Sequence, residues 1–192
     1  MAVDSRAWAR ALFEDRELIG DESRYMSHSA LDEAIKAAEI SFVNNWASLD
    51  ALVVRCVNGS RQQPISTHVG VTQGLLGDRW AAGKAEIGQQ LSMMNLDVAA
   101  AIANGQSIAL FGDNIFTRLN LNEDFLEVGA VLRIGSSLTK VSETRHVPCD
   151  RFRDRFGVAS FERTAKQPRL RGVYLTVLEG GTIALGDPIR RA

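Results

Sequence analysis

Cys149 is the residue whose type and setting most directly suggest chemistry. It follows Pro148 and precedes Asp150-Arg-Phe-Arg-Asp-Arg-Phe156, a run with helical character. A cysteine at a helix N-terminus meets unpaired amide hydrogens and the positive end of the helix dipole, and both stabilise a thiolate. Arg145, His146, Arg151, Arg153 and Arg155 crowd the same stretch, and positive charge favours the thiolate further. A thiolate binds soft metals and attacks sulfur. The residues alone equally allow Cys149 to pack as a small hydrophobe. Cys56 is of the second kind, since it alternates in phase with Leu52 and Val54 and is expected to be buried. A Cys149–His146 nucleophile–base pair is conceivable, but three residues apart before a helix the two need not face each other.

Other chemistries find no support. The three histidines, at 28, 68 and 146, show no paired zinc-type spacing. The chain has no Walker loop, no strand–GxGxxG–helix unit and no GxSxG elbow. Base-rich sequence runs from Lys140 to Arg171 and includes Arg163, Lys166 and Arg169. Arginine forks suit phosphate, so a small phosphorylated ligand is one natural guest. A solvated basic face paired with the acidic N-terminal segment is the other reading. Nucleic acid is not expected, because Phe152 and Phe156 have the helical spacing of core anchors rather than of a stacking platform. Gly74-Leu-Leu-Gly77-Asp78-Arg79 and Phe111-Gly112-Asp113-Asn114 could let backbone approach a ligand, or could be ordinary turns.

The elements that would position these residues follow from periodicity. In the first fifty residues acids outnumber bases by ten to five. Ser29 followed by Asp32 resembles a capping box. Leu31, Ile35, Ala38, Phe42, Trp46 and Leu49 then form one apolar stripe at helical spacing. A shorter helix is expected around Trp8, Leu12 and Ile19. Residues 1–50 therefore read as a helical appendage and 51–192 as a β domain. Strands are expected at Ala51–Val57 and Gln90–Asn95, with a short helix capped by Asp97. Hairpins are expected at Val131–Ile134 with Leu138–Val141, and at Val173–Leu178 with Thr182–Leu185 around Glu179-Gly-Gly181. A helical turn over Asp150–Phe156 is closed by Gly157. Short strands and glycine turns indicate a mainly β fold, a barrel or sandwich flanked by helices.

The 192 residues, 45% hydrophobic with net charge −1, suit one core-forming domain with an appendage. No secretory leader or membrane-spanning run is read at the start or elsewhere, and two cysteines suit a reducing compartment. The expectation is a cytoplasmic protein without nucleic-acid or membrane partners.

In order, Gly74-Leu-Leu-Gly77-Asp78-Arg79, Gln90-Leu-Ser-Met-Met-Asn95, Gly112-Asp113-Asn114-Ile115, Leu126-Glu-Val-Gly-Ala-Val-Leu-Arg-Ile-Gly135, Pro148-Cys149 and Arg171-Gly-Val-Tyr174 leading to Asp187 resemble the MOSC family, the molybdenum cofactor sulfurase C-terminal domain. The resemblance covers about residues 51–190. It implies a closed β-barrel of the pyruvate-kinase-barrel type with flanking helices. It also implies that Cys149 carries sulfur or ligates the metal of molybdenum cofactor (molybdopterin). Asn114 becomes a cofactor-binding candidate by its motif, joined by Asp78, Arg79, Arg145, His146 and Arg171 through motif or neighbourhood. Two activities follow as expectations: reduction of small N-oxygenated compounds, or sulfur carriage on a Cys149 persulfide. A non-catalytic interaction module is the third reading. A separate electron-donor or sulfur-donor protein is implied, because the chain lacks a four-cysteine iron–sulfur set. It is also too short for the pyridoxal-phosphate domain of the long sulfurase relatives. Trp80 stands where many relatives have histidine, and Asp113 where glutamate is common.

Overall fold

The computed structural model describes residues 18–83 and 86–192. The helix expected around Trp8 and Leu12 lies outside the described residues, and Ile19 is exposed in an irregular segment.

Helix α1 (His28–Glu39) is capped by Ser27, whose side chain accepts from the Ala30 amide, so the start lies two residues before the predicted box. Leu31, Ile35 and Ala38 form its buried face. The predicted stripe does not continue as helix. Trp46 and Leu49 instead belong to strand β1 (Trp46–Leu52), whose residues alternate between the barrel interior and the surface. The division at residue 50 therefore falls inside a barrel strand.

The remaining strands are β2 (Val54–Arg55), β3 (Arg61–Gln62), β4 (Ser66–Gly70), β5 (Gly74–Leu75), β6 (Leu91–Asn95), β7 (Ile115–Thr117), β8 (Val131–Ile134), β9 (Ser137–Val141), β10 (Val173–Glu179), β11 (Gly181–Ala184) and β12 (Pro188–Arg191). Seven close a barrel in the order β1-β12-β8-β9-β10-β6-β7, while β11-β4-β5 form a small sheet and β2-β3 a ribbon. The fold is thus mainly β and barrel-shaped, as expected. The hairpin predicted around Glu179-Gly-Gly181 does not form: β10 pairs with β9 and β6, whereas β11 pairs with β4.

The one parallel step in the barrel joins β6 to β7. A parallel return needs a crossover, and helix α2 (Leu96–Ala103) with the 3-10 turn Ile108–Phe111 supplies it. Asn95, not Asp97, caps α2 by accepting from the Asp97 and Val98 amides.

Apolar burial is divided between two cores. Leu49, Leu52, Leu91, Met93, Ile115 and Leu175 fill the barrel. Leu31, Ile35, Val98, Ile102, Phe111, Phe116, Phe152 and Phe156 pack between its wall and the helices. Each fully buried side chain of this size contributes about 1.5–3 kcal/mol.

Helix α3 (Asp150–Lys166) breaks at Gly157, where φ is 82° and ψ 169°, so the expected stop is real but a second helical half follows. Tyr25 packs where a Cβ at Gly157 would lie. Arg163 bonds Asp32 of α1 at 2.7 Å and Glu162 meets His28 at 3.0 Å. Part of the basic stretch therefore pairs with the acidic N-terminal segment. No helix among the described residues is long and apolar enough to cross a membrane.

Candidate functional site

The Gly112-Asp113-Asn114 turn is pinned between two barrel strands. The Val53 amide donates to Asn114 O at 2.8 Å, and the Asn114 amide donates to Ser92 O at 3.0 Å. Gly112 makes the turn possible with φ 73°, ending the 3-10 segment that leads into it. Asp113 and Asn114 are thereby fixed at one mouth of the barrel, both with 0% exposure.

Asn114 is the hub of a polar network. Its Nδ2 donates to Asp78 Oδ2 at 2.9 Å and to Val53 O at 3.1 Å. Its Oδ1 accepts from the Ser92 amide at 3.1 Å and from Ser92 Oγ at 3.3 Å. Arg55 lays its fork on Asp78, with Nε to Oδ2 at 2.9 Å and Nη2 to Oδ1 at 2.8 Å. Burial opposes ionisation of Asp78, but the Arg55 fork and its amide outweigh that and hold the carboxyl below its usual range. The Trp80 amide also donates to Asp78, while Trp80 Nε1 is buried without a partner.

A second network lies beside the first. Arg171 ends a 3-10 turn (Pro168–Arg171) and is followed by Gly172, whose φ of 98° brings the chain against β6. The Arg171 guanidinium donates to Asp113 Oδ2 and, at 3.3 Å, to Phe111 O. Its Cζ stands 5.1 Å from the Phe152 ring centroid and 5.9 Å from that of Phe111, a cation–π setting. Across Asp113, His146 Nδ1 faces Oδ1 at 3.5 Å, and neither atom has a hydrogen-bond partner. Burial raises the Asp113 carboxyl, against the opposing pull of Arg171 and Arg55. Burial, then the charges of Arg171 and Arg55, hold His146 well below the usual imidazole range. His146 packs against Tyr174, with ring centroids 4.2 Å apart and planes tilted by 33°.

Cys149 is exposed at the N-cap of α3, and its side chain makes no capping bond. Tyr174 feels the charges of both the thiol and the networks. Burial raises the Tyr174 phenol, Asp113 and Cys149 add to the rise, and Arg171 and Arg55 oppose it. A cleft of about 340 Å³ opens next to this region. Its walls include Arg145, Arg169, Glu123 and Glu143, with His146 and Gly172 also reaching it.

Asp78, Asn114, His146 and Arg171 thus gather into one buried polar cluster, with exposed Arg145 on the cleft and Cys149 exposed at the start of α3. Arg79 is half-buried, and its amide donates to Arg55 O at 2.6 Å. Cys56 is only half-buried, packed against the barrel core. Sequence reasoning missed Arg55, Ser92 and Tyr174 as site residues, and had Arg169 only as part of the basic stretch. Arg55 did carry a signal, since a charge inside Leu52-Val-Val-Arg-Cys-Val57 requires a buried partner.

The MOSC domain family model matches residues 89–190, more than half of the 192-residue chain, and the chain belongs to that family. Its fold is similar to two solved structures at low identity. YiiM from Escherichia coli is 19% identical with a TM-score of 0.54, covering 76% of this chain and 69% of that one. The YuaD protein from Bacillus subtilis is 15% identical with a TM-score of 0.55, covering 75% of this chain and 94% of that one. No curated protein matches the sequence. Arg55 and Asp78 precede the family match yet complete the network around Asn114.

Proposed function

We propose that this MOSC protein binds molybdenum cofactor, with Cys149 as the protein's sulfur ligand to the metal, and reduces small N-oxygenated compounds. The observation that carries the reading is an exposed thiol at a helix N-terminus, three residues along the chain from His146, which lines a cleft of mixed charge and faces the buried Asp113. The donor chemistry fits: a soft sulfur suits the metal, and the guanidinium groups of Arg145 and Arg79 suit the pterin phosphate. When bound, the cofactor supplies two-electron redox chemistry.

The chain's own residues have separate tasks. Asn114 has its amide fully engaged by Val53, Asp78, Ser92 and Arg55. It therefore positions the mouth of the barrel, and Asp78 does the same through Arg55. Arg145 and Arg169, set against Glu123 and Glu143, give the cleft both signs of charge, which suits a small polar substrate. Electrons come from a separate donor protein.

Metal analysis of protein made in a cofactor-competent host tests the assignment. Molybdenum is expected in the wild type and lost in Cys149→Ser. Equal content in both, or none in the wild type, rejects it. The exposure of Cys149 also supports a second reading, a non-redox persulfide carrier. Its mark is a mass increase of about 32 Da after incubation with a cysteine desulfurase, absent in Cys149→Ser.

A further inference from the structure

Asp113 is fully buried, yet only one of its oxygens is used. Arg171 takes Oδ2, while Oδ1 faces His146 Nδ1 across 3.5 Å with both atoms lacking a hydrogen-bond partner. Two buried polar atoms left facing each other in this way are costly unless they serve each other. Hydrogen bonds at reactive sites are often long without ligand and tighten when it binds. Tyr174 packs against the imidazole with the two ring planes tilted by 33°, and a small movement of the ring toward Asp113 would close the gap.

The other ring nitrogen is differently placed. Nε2 is not among the sealed, unpartnered atoms, and His146 contributes to the cleft wall. The charged and titratable groups around the ring are Asp113 before β7, Arg171 before β10, Arg55 on β2 and Tyr174 on β10. Arg145, Arg169, Glu123 and Glu143 add to these from the cleft. Burial and the two guanidinium charges keep the imidazole neutral at rest.

We propose that His146 is the proton-handling residue of this site. Asp113, held by Arg171, accepts Nδ1–H and fixes the tautomer, which leaves the Nε2 lone pair at the cleft to gain and return a proton. This assignment rests on the redox reading above. Reduction of a hydroxylamino compound breaks the N–O bond and makes an N–H bond: R–NHOH takes two electrons and two protons to give R–NH2 and water. The electrons come from an external one-electron donor. His146 Nε2 takes a proton from bulk solvent, relayed by cleft water, and delivers it to the departing hydroxyl, which leaves as water. The second proton, which completes the new N–H bond, comes from solvent, and two equivalents of the donor supply the electron pair. An imidazolium that is costly to hold in this environment is a strong acid toward that hydroxyl.

The pair is tested by long-range 1H–15N NMR of the imidazole in wild type and Asp113→Asn, from roughly pH 5 to 8. The wild type is expected to show neutral His146 with the proton on Nδ1. In Asp113→Asn the amide NH2 donates to Nδ1, and the proton is expected on Nε2. A wild-type proton on Nε2, or a charged ring at neutral pH, overturns the proposal without the need for any variant to fold. Turnover is read with hydroxylamine and reduced methyl viologen, on preparations whose molybdenum content is measured. His146→Gln is expected to lower kcat by about 10²–10⁴-fold with KM and molybdenum content little changed, and to lose one limb of the pH profile. Wild-type kcat and pH profile in His146→Gln at equal metal content overturn the proposal. Absence of molybdenum from the wild type removes the redox reading and the use of the proton with it, while the tautomer spectra still report on the Asp113–His146 pair.

Discussion

Asn114 and Asp78, 36 positions apart in the chain, are joined by a 2.9 Å hydrogen bond from Nδ2 to Oδ2 in a setting sealed from solvent. Arg55 grips the same carboxylate, so one amide ties the turn before β7 to the loop after β5. Asn114→Ala would leave Asp78 with Arg55 but strip partners from Val53 O and the Ser92 amide. The expected loss is about 2–4 kcal/mol in urea unfolding. Asn114→Asp would place two carboxylates in contact, raising one pKa in the folded state. Its instability should therefore grow as pH rises above the ordinary carboxylate range. A pH-independent loss would show that the Asn114–Asp78 contact is not what this position supplies.

The Arg171–Asp113 pair makes a different demand. Both side chains are buried, with exposures of 6% and 0%, so removing the acid leaves a guanidinium with no counter-ion. Asp113→Leu is expected to cost about 3–5 kcal/mol, and Arg171→Met in the same background to restore much of it. A double-mutant cycle by denaturant titration measures the pair. Additive losses would mean that the two residues act independently.

Much of this architecture is legible in the sequence, and the misreadings have physical causes. Gly157 reads as a helix stop because a positive φ there is a backbone requirement that glycine meets. Glu179-Gly-Gly181 has the composition of a tight hairpin, but its glycines serve close approach instead. A Cβ at Gly180 would lie 2.8 Å from Val69 O, and one at Gly181 would lie 2.6 Å from the Ser136 carbonyl carbon. The helical stripe runs on through Trp46 and Leu49 by coincidence of period: Phe42 packs among the helices, while Leu49 faces the barrel. At the site, Pro148-Cys149 and the arginines are local features and so are visible in the sequence. The facing of Asp113 and His146 depends on how β6, β7 and β10 are ordered around the barrel, which local spacing does not encode.

His146 links stability to pH. Its folded pKa is well below the usual 6.5, whereas in the unfolded chain it takes its ordinary value. Below that value the unfolded state binds a proton that the native state refuses, so stability falls as pH drops and is flat above it. Melting temperature should therefore decline on acidification from about pH 6.5, the ordinary histidine value. His146→Phe, which keeps a ring against Tyr174, should remove that part of the slope. An identical slope in the variant would assign the acid sensitivity to other groups.

Gly172 carries the backbone requirement on which Arg171 depends. A Cβ there would lie 2.2 Å from Met93 O, and φ is 98°. Met93 pairs with Val173 between β6 and β10, so its carbonyl cannot retreat without opening the ladder beside the site. Gly129 offers the comparison, because its φ is 85° and nothing stands within 4 Å of the place a Cβ would occupy. Gly129→Ala should cost only the conformational penalty of about 1–2 kcal/mol. Gly172→Ala meets a larger backbone penalty, because φ 98° with ψ −160° lies outside the left-handed well in a region open essentially to glycine alone. It also adds overpacking of about 1–3 kcal/mol, and should displace Arg171 from Asp113. Denaturant midpoints of the two variants separate the effects. If both fall equally, the close approach to β6 contributes nothing, and the position needs glycine for its φ alone.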